Sequence, residues 1–498
     1  MSKEVASHQS PVTSKQGDAS RITHVIQTGL KRRYRAERRF KAFGIAALGF
    51  AGLMLVILLV TIIRPGLGGF MRHELKLEID TASTAEALQT TPETVDFYTL
   101  TQTALKATVK ECDGGEARTV HPLPLRERVG VRGHKQDVAM TSAPPTNLPP
   151  QGGEASHVAR PVACAKASAD FADKVTRHQF LALAGTFAAF DVKRQLLENK
   201  AQWGKPLTVW VPLADNADQL LKGRMDRNLP EAQRALNDRQ LGWLDEWEKQ
   251  GRIRSSFNRD FFTRGDSRAP EAAGFMGAIV GSLISLFVCL IVALPIAIMA
   301  AITLEEFAGK SRVAEALEVV INNLAAVPSI IYGLLGLSVY LQLFGMPRSS
   351  PLVGGLTLAM LIMPVMIIAS RAAIRAVPPS MRLAAAGLGA SPLQVVRDHV
   401  LPYALPGILT GTILSICRAL GESAPLLMIG MVAFVADIPR GLMDPATTMP
   451  VEIYLWASSP ELGFIEKTSS AILVLLVILL LLNLAAIKLR NKSQLNWN

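Results

Sequence analysis

The 498-residue sequence has few cysteines, and their spacing excludes the common zinc sites. Its four cysteines form no C-x-x-C pair, so a zinc-binding module has no basis. Cys289 and Cys417 lie in apolar segments, where we expect small packing residues. Cys112 and Cys164 lie in a polar segment, and a disulfide between them would need an oxidising compartment.

The sequence also lacks a nucleotide-binding domain. Gly309-Lys310-Ser311 matches the end of a phosphate-binding loop. However, Leu304 stands where the loop requires its first glycine, and no strand is predicted before this segment. We therefore expect the chain to bind no cofactor of its own.

Charged residues make up only 19% of the chain, whereas 49% of its residues are hydrophobic and the mean hydropathy is +0.27. This balance excludes an ordinary soluble protein. Several segments contain about 20 or more residues with few charges, the length that a membrane-spanning helix needs. The pattern predicts six spans, near residues 43–63, 274–303, 316–345, 351–375, 401–434 and 468–488.

Part of the net charge of +11 lies just before the first span. Basic residues accumulate on the cytoplasmic side of membrane proteins, so this cluster is interpreted as an orientation signal and not as a nucleic-acid site. About forty polar residues precede the span, which excludes a cleaved signal peptide. The cluster consists of Lys31, Arg32, Arg33, Arg35, Arg38, Arg39 and Lys41.

Alternation from this cytoplasmic start predicts the side of each segment. Residues 64–273 lie outside and both termini lie inside. The predicted order is a cytoplasmic basic tail (1–42, without periodicity in 1–30), a first span (43–63), an outer domain (64–273), a core with five spans (274–488, with cytoplasmic segments 304–315 and 376–400) and a cytoplasmic tail (489–498).

The outer segment is long enough for a domain of its own. Polar and apolar residues alternate from His73 to Asp80, which predicts a strand. An amphipathic helix is predicted over 230–250, with Pro230 in its first turn. Its apolar face consists of Leu236, Trp243, Leu244 and Trp247. We expect a small α+β domain.

Residues 111–165 differ in composition from the rest of the outer segment. Pro, Gly, Arg and Ala dominate, as in Pro144-Pro145-Thr146-Asn147-Leu148-Pro149-Pro150, with little to bury. Such a run is typical of a loop or of disorder. We interpret it as a late insertion, although an ordinary flexible loop would have the same composition.

A small-residue helix is predicted at about 380–390, on the cytoplasmic side. Leu383-Ala384-Ala385-Ala386-Gly387-Leu388-Gly389 is followed by Leu401-Pro402. The spacing resembles the coupling motif of bacterial ABC-importer permeases: EAA, three residues, Gly, nine residues, Ile-x-Leu-Pro. Leu383 replaces the family's Glu and His399 its Ile, so the alanine–glycine face would carry the docking of an ATPase. The alternative is a helix that packs only on its own chain.

The ends of this helix are also predicted. Prolines 378 and 379 end the preceding span, and Ser380 is a competent N-cap. Ser391-Pro392 then breaks the helix after Gly389, and a second short helix leads to Leu401.

A second motif, Arg418-Ala419-Leu420-Gly421-Glu422-Ser423-Ala424-Pro425-Leu426-Leu427, lies in the next apolar run. It resembles the RxxGExAPLL signature of the PstA-type permeases of phosphate ABC importers. The resemblance covers most of 274–488 and is most specific around 382–430. The large outer domain departs from it, since the usual member has only a short first outer loop.

Arg418 and Glu422 are four residues apart and can pair on one helix face. A charge inside a membrane costs roughly 2.5–3.5 kcal/mol, so a function is expected. Arginine offers a fork of donors to phosphate oxygens, and Glu422 would keep it from holding the anion too tightly. A structural ion pair is the alternative. Gly421 and Pro425 predict a loosened or kinked helix here.

Three further residues are assigned to the same translocation path. Ser423 belongs to the second motif. Pro328 is expected to kink the third span, and Ser329 can satisfy the carbonyl that Pro328 leaves without a partner.

The resemblance implies a fold and partners. The fold class is mainly α: a six-helix, type I, MetI-like permease with a periplasmic α+β domain inserted after the first span. The chain would form the phosphate path with a PstC-like permease in a bacterial inner membrane. Two PstB-like ATPases would bind ATP and Mg²⁺, and a PstS-like periplasmic protein would deliver phosphate. The chain itself would catalyse no reaction.

Two other functions stay open from the residues alone. One is a permease for another oxyanion, such as sulfate or molybdate. The other is a membrane sensor whose outer domain binds a ligand; only residues 489–498 follow the last span, too few for a kinase or cyclase output.

Deletion of residues 114–162 is expected to leave transport intact, because this segment offers little apolar surface to a core. Phosphate uptake by cells that carry only the deleted form measures this, with the protein in the membrane quantified by immunoblot. A deleted form that reaches the membrane and transports nothing would contradict the insertion hypothesis.

Overall fold

The structure is a computed structural model, and it describes residues 14–82, 95–109, 174–200, 203–309, 311–432 and 434–492. The segment 111–165, with Cys112 and Cys164, lies outside the described residues. The chain divides into two compact units. One is Met71–Gly274, and the other combines Met1–Phe70 with Phe275–Asn498.

The Met71–Gly274 unit contains a three-stranded antiparallel sheet in the order β2-β1-β3. Leu75, Leu77 and Ile79 alternate with polar residues along β1, and all three are buried. This period of two is what places them on one sheet face, as the sequence predicts for residues 73–80. The strands are β1 (Met71–Asp80), β2 (Pro206–Pro212) and β3 (Ile253–Phe257).

Helices cover the apolar side of this sheet. They are α2 (Phe97–Ala107), α3 (Lys174–Leu181), α4 (Ala188–Glu198), α5 (Asp215–Leu221) and α6 (Asp238–Lys249). The ring of Phe180 packs edge-on against Trp243, with centroids 4.9 Å apart. Trp247 is also buried and donates from its indole to the Thr108 hydroxyl (2.9 Å).

The predicted helix over 230–250 is wrong in its first half. Only a short 3₁₀ turn, Glu231–Gln233, follows Pro230, and α6 starts at Asp238, eight residues after Pro230. Asn237 begins it through a capping box with Gln240, which satisfies the free N–H groups better than a proline could.

A cluster of ion pairs lies beside β1 in the same unit. The Asp260 carboxylate contacts Arg72 (2.7 Å), Arg194 (3.1 Å) and Arg264 (3.4 Å). Burial alone would raise the pKa of Asp260, but the hydrogen bond and charge of Arg72, with the two other arginines, hold that pKa below its ordinary value of 3.8. Arg254 and Arg72 likewise outweigh the burial of Glu74 and hold its pKa below 4.5.

The second unit is helical in its described residues. Its helices are α1 (Ser14–Gly69), α7 (Met276–Phe307), α8 (Arg312–Ala325), α9 (Ser329–Leu343), α10 (Pro351–Arg375), α11 (Pro379–Gly387), α12 (Pro392–Gly421), α13 (Ala424–Met428), α14 (Met449–Ala457) and α15 (Leu462–Lys492). Five of these are long and apolar enough to cross a membrane: α1 from Ala36, α7, α10, α12 and α15. Helices α8 and α9 together could form a sixth, bent span.

Three predicted spans need correction. The first span is not limited to 43–63 after an irregular tail, because α1 is already helical at Ser14 and continues to Gly69. Pro65 lies inside α1 and does not stop it. The span predicted over 316–345 consists of two helices that meet at 99°. The one predicted over 401–434 starts at Pro392 and ends at Gly421.

Small residues allow the helices of this unit to approach closely. A Cβ on Gly355 would lie 2.6 Å from the Ser285 carbonyl, so α10 and α7 touch through their backbones there. Ser470 of α15 donates to the carbonyl of Gly66 in α1 (2.7 Å). Cys289 is buried, as expected, while Cys417 is half-buried and its thiol lies 3.1 Å from the Asn483 amide oxygen.

The Met71–Gly274 unit should lose stability as the pH falls below 4.5. Because the folded-state pKa values of Glu74 and Asp260 are depressed, their contribution is complete above their ordinary values of 4.5 and 3.8 and is lost as the pH falls through the lower folded values. Asp260→Asn should destabilise the unit at neutral pH by about 3 kcal/mol and flatten this pH dependence.

Tryptophan fluorescence of the full-length protein can follow this unfolding, since Trp203, Trp210, Trp243 and Trp247 all lie in this unit. The control Asp245→Asn removes a half-exposed pair with Arg227 and should change little. Identical acid unfolding of Asp260→Asn and the unmodified protein would refute the role of the cluster.

Candidate functional site

The small-residue helix predicted at about 380–390 is α11. Pro379 occupies its first turn, where a missing N–H costs nothing, and alanines at 384–386 favour the helical backbone. The predicted N-cap is wrong: Pro378 occupies the cap position and Ser380 lies inside the helix. Proline has the extended backbone of a cap, so a capping side chain is not required.

Gly389 ends this helix. Its φ of +86° is in the left-handed region, which favours glycine. The N–H of Gly389 donates to the Ala386 carbonyl (3.0 Å) and that of Ala390 to the Ala385 carbonyl (3.2 Å). These two bonds are those of a Schellman motif, and they satisfy carbonyls that would otherwise be free. The motif glycine therefore has a backbone role as well as its small size.

The two faces of α11 differ. Leu383 is 72% exposed and Leu388 91% exposed, and Ala384 and Gly387 lie beside them. Ala385 is only 4% exposed, because it packs into an apolar cluster with Ile374, Val377, Val395, Val400, Ala404, Ile408 and Ala301. Of the coupling residues predicted from sequence, Ala385 is thus not available at the surface.

Leu401 and Pro402 also differ from expectation. They do not follow a separate short helix, because α12 is continuous from Pro392 through a π-helical stretch, Val395–Val400. Ser391 starts it with a capping box to Gln394. Leu401 packs against the same apolar cluster as Ala385, and both Leu401 and Pro402 are half-buried.

Sequence analysis missed the carboxylates that hold α11 in place. Arg382 pairs with Glu306 (2.8 Å), and the adjacent Glu305 pairs with Arg371 (2.7 Å) and Arg375 (2.9 Å). A signal was present, since Glu305 and Glu306 follow a long apolar run directly. Only the tertiary structure shows that their partners come from α10 and α11.

The second predicted site lies where α12 ends. Gly421 is the last helical residue, and Glu422 has an extended backbone (φ −85°, ψ 120°), so the break predicted from Gly421 and Pro425 is present. Arg418 Nε lies 3.8 Å from Glu422 Oε1. This exceeds hydrogen-bonding distance, so Glu422 leaves the guanidinium N–H groups able to bind another acceptor. Ser423 is half-buried at the start of α13.

Pro328 and Ser329 lie at the bend between α8 and α9. Pro328 occupies the N-cap of α9, three residues after α8 ends at Ala325, instead of kinking a continuous helix. Tyr332 spans the bend: its hydroxyl donates to the Leu324 carbonyl (2.7 Å), a bond that the sequence predicts for Ser329. A phenol reaches across a full break, whereas a serine side chain reaches only its own turn.

The second half of the bent pair, α9, packs against α13, which follows the end of α12. A Cβ on Gly333 would lie 2.7 Å from the Pro425 backbone, so α9 and α13 are in direct contact. Within the described residues, no group of His, Cys, Asp and Glu could hold a metal ion. The arrangement offers a cation near a break in the backbone, which suits an anion.

Two families match parts of the chain. Residues 272–490 match the family described as binding-protein-dependent transport system inner membrane component. Residues 27–123 and 156–231 match a domain of unknown function, DUF3333. The DUF3333 match is interrupted between residues 123 and 156, and this gap lies inside the segment 111–165.

Similar proteins are phosphate transport system permease proteins. PstA of Xylella fastidiosa is 30% identical over 236 residues, which cover 47% of this chain and 81% of that protein. PstA 1 of Mycobacterium tuberculosis is 32% identical over 195 residues, 39% of this chain and 62% of that protein, so less than two thirds of its length is matched. An inward-facing MetNI methionine transporter structure matches 44% of this chain and 94% of its own, with 17% identity and a TM-score of 0.36.

Gly389→Ala should loosen the end of α11, whereas Gly387→Ala should not. A Cβ meets open space at both positions, but only Gly389 has a left-handed backbone, which costs an alanine about 1–2 kcal/mol. Hydrogen exchange of the amides of 384–390 in the full-length protein measures the difference. Equal exchange in the two variants would show that the cap does not depend on glycine.

Proposed function

Because the chain belongs to the PstA family of phosphate ABC-importer permeases, we propose that it is the membrane permease subunit of an ATP-driven inorganic phosphate importer. It would line the phosphate path, while partner subunits bind and hydrolyse ATP. The chain itself is a permease component and not an enzyme.

The exposed face of α11 is the observation that supports this proposal most directly. Leu383 and Leu388 project from a short helix whose opposite side is held by Ala385 and Arg382. Exposed apolar side chains on a firmly held element are typical of a protein interface. We assign this face to docking of an ATPase subunit, through Leu383, Ala384 and Gly389. Leu401, which packs against the apolar cluster behind α11, and the adjacent Pro402 would support it.

The phosphate path is assigned to the end of α12 and the neighbouring bend. Arg418, with Glu422 at 3.8 Å, would present guanidinium donors to phosphate oxygens. Ser423, Pro328 and Ser329 would line the same path, where backbone irregularity is tolerated beside a polar cavity.

The partners and orientation follow from the same proposal. They are a PstC-like second permease, two PstB-like ATPases with ATP and Mg²⁺, and a PstS-like phosphate-binding protein. Both termini and α11 would face the cytoplasm of a bacterial inner membrane, and residues 64–273 would face the periplasm.

Phosphate uptake by a strain that lacks its own phosphate importer tests whether phosphate is the substrate of this transporter. Labelled phosphate should enter only when this chain and its partners are present, and unlabelled sulfate or molybdate should not compete. Competition by either anion would favour another oxyanion. Failure of the purified chain to co-isolate with any ATPase would refute the importer assignment.

Arg418→Ala should abolish phosphate uptake while the ATPase still co-isolates, because the guanidinium is far from α11. At 1.5 Å per residue it lies about 25 Å along α12 from Leu401. Uptake and co-isolation are measured on the same membranes. The control Lys492→Ala removes an exposed charge at the end of α15 and should retain uptake. Normal uptake by Arg418→Ala would leave the structural ion pair as the better interpretation.

A further inference from the structure

Two adjacent carboxylates at the end of α7 connect it to two different helices. Glu305 and Glu306 lie in the π-helical stretch Thr303–Phe307 that closes α7. Neighbouring residues of a helix point in different directions. One carboxylate can therefore reach α10 while the other reaches α11.

Glu306 binds the coupling helix. Both of its oxygens contact Nε of Arg382, at 3.1 and 3.2 Å, and Oε1 also accepts from Nη2 at 2.8 Å. Arg382 in addition donates to the carbonyls of Val377 (2.6 Å) and Ile374 (2.9 Å), beyond and within the last turn of α10. One side chain thus joins three elements.

Glu305 binds the end of α10. It accepts from Arg371 at 2.7 Å and from Arg375 at 2.9 Å. Arg371 in turn donates to Glu318 of α8 at 3.0 Å, which brings the first half of the bent pair into the same network.

The ion pairs of Glu305 and Glu306 are shielded from solvent and involve several donors, which restricts their motion. The side chains of Glu305 and Glu306 are each only 12% exposed, and that of Arg371 is 11% exposed. Charge-assisted bonds with several donors fix geometry better than single contacts. Beside them, Ala301 of α7, Ile374 of α10 and Ala385 of α11 meet in one apolar cluster.

We propose that Glu305 and Glu306 are positioning residues that make α7, α10 and α11 move as one body when an ATPase displaces α11. This rests on the proposed importer function. Without the carboxylates, the motion of a docked ATPase would pass from α11 to α7 and α10 only through the apolar cluster around Ala385, so less of it would reach the helices that surround the phosphate path.

The complete transporter in proteoliposomes tests this with Glu306→Gln, which keeps the shape and removes the charge. The ATPase should still co-isolate and hydrolyse ATP, while phosphate moved per ATP falls about tenfold. Glu306→Asp, which keeps the charge, should lose less. The control Arg397→Ala breaks an exposed pair with the neighbouring Asp398 on the same side of the bundle and should leave the ratio unchanged.

An unchanged amount of phosphate moved per ATP in Glu306→Gln would overturn the proposal. Loss of ATPase co-isolation would also overturn it, since the residue would then serve docking or folding alone. If the unmodified transporter moves no phosphate, the proposed function fails instead. In that case, hydrogen exchange over 380–388 in the full-length chain tests whether Glu306 holds α11. Faster exchange in Glu306→Gln supports the positioning role, and unchanged exchange overturns it.

Discussion

The ion pair between Arg382 and Glu306 is the interaction that fixes the position of α11 against the end of α7. A helix as short as α11 is not stable alone in water, so its position must come from tertiary contacts. Arg382 and Ala385 lie three residues apart on the inward face, and they supply an ionic and an apolar contact respectively. The opposite face, with Leu383 and Leu388, can then remain exposed without being mobile. Exposed leucines next to a fixed backbone support the docking role that we propose for this face.

Breaks in the helices are placed where a polar group is available to satisfy the backbone. At the bend between α8 and α9, the Tyr332 hydroxyl reaches the Leu324 carbonyl. At the end of α11, the left-handed Gly389 turns two N–H groups back onto the helix. Unsatisfied backbone groups are expensive in an apolar environment, so the Tyr332 bond favours the break between α8 and α9. The end of α11 is exposed, and there the left-handed backbone of Gly389 stops the helix. A third break, after Gly421, leaves Arg418 and Glu422 beside irregular backbone and not on a uniform helix face.

Sequence reasoning was most reliable where one local signal decides the structure. The span predicted over 351–375 agrees with α10, because an unbroken apolar run of this length forms one membrane-spanning helix. The alternation of polar and apolar residues alone identified β1. It was weakest where a distant partner decides. Nothing near Pro328 shows whether the helix kinks or breaks, since the outcome depends on Tyr332 and on the approach of Gly333 to Pro425. Likewise Ala384 and Ala385 look equivalent in the motif, and only packing against Ile374 and Val377 buries one of them.

The continuity of α12 gives the two candidate sites a mechanical connection. The helix begins next to α11 at Pro392 and carries Arg418 near its other end, about 39 Å away at 1.5 Å per residue. Its first turns, at Val395 and Val400, pack in the same cluster as Ala385 of α11. A displacement of that cluster therefore moves the base of α12 directly, and the break after Gly421 lets its far end move relative to α13. If α11 docks an ATPase and Arg418 binds phosphate, as we propose, a continuous helix with a packed base and a free far end would turn motion at α11 into a change of position for Arg418.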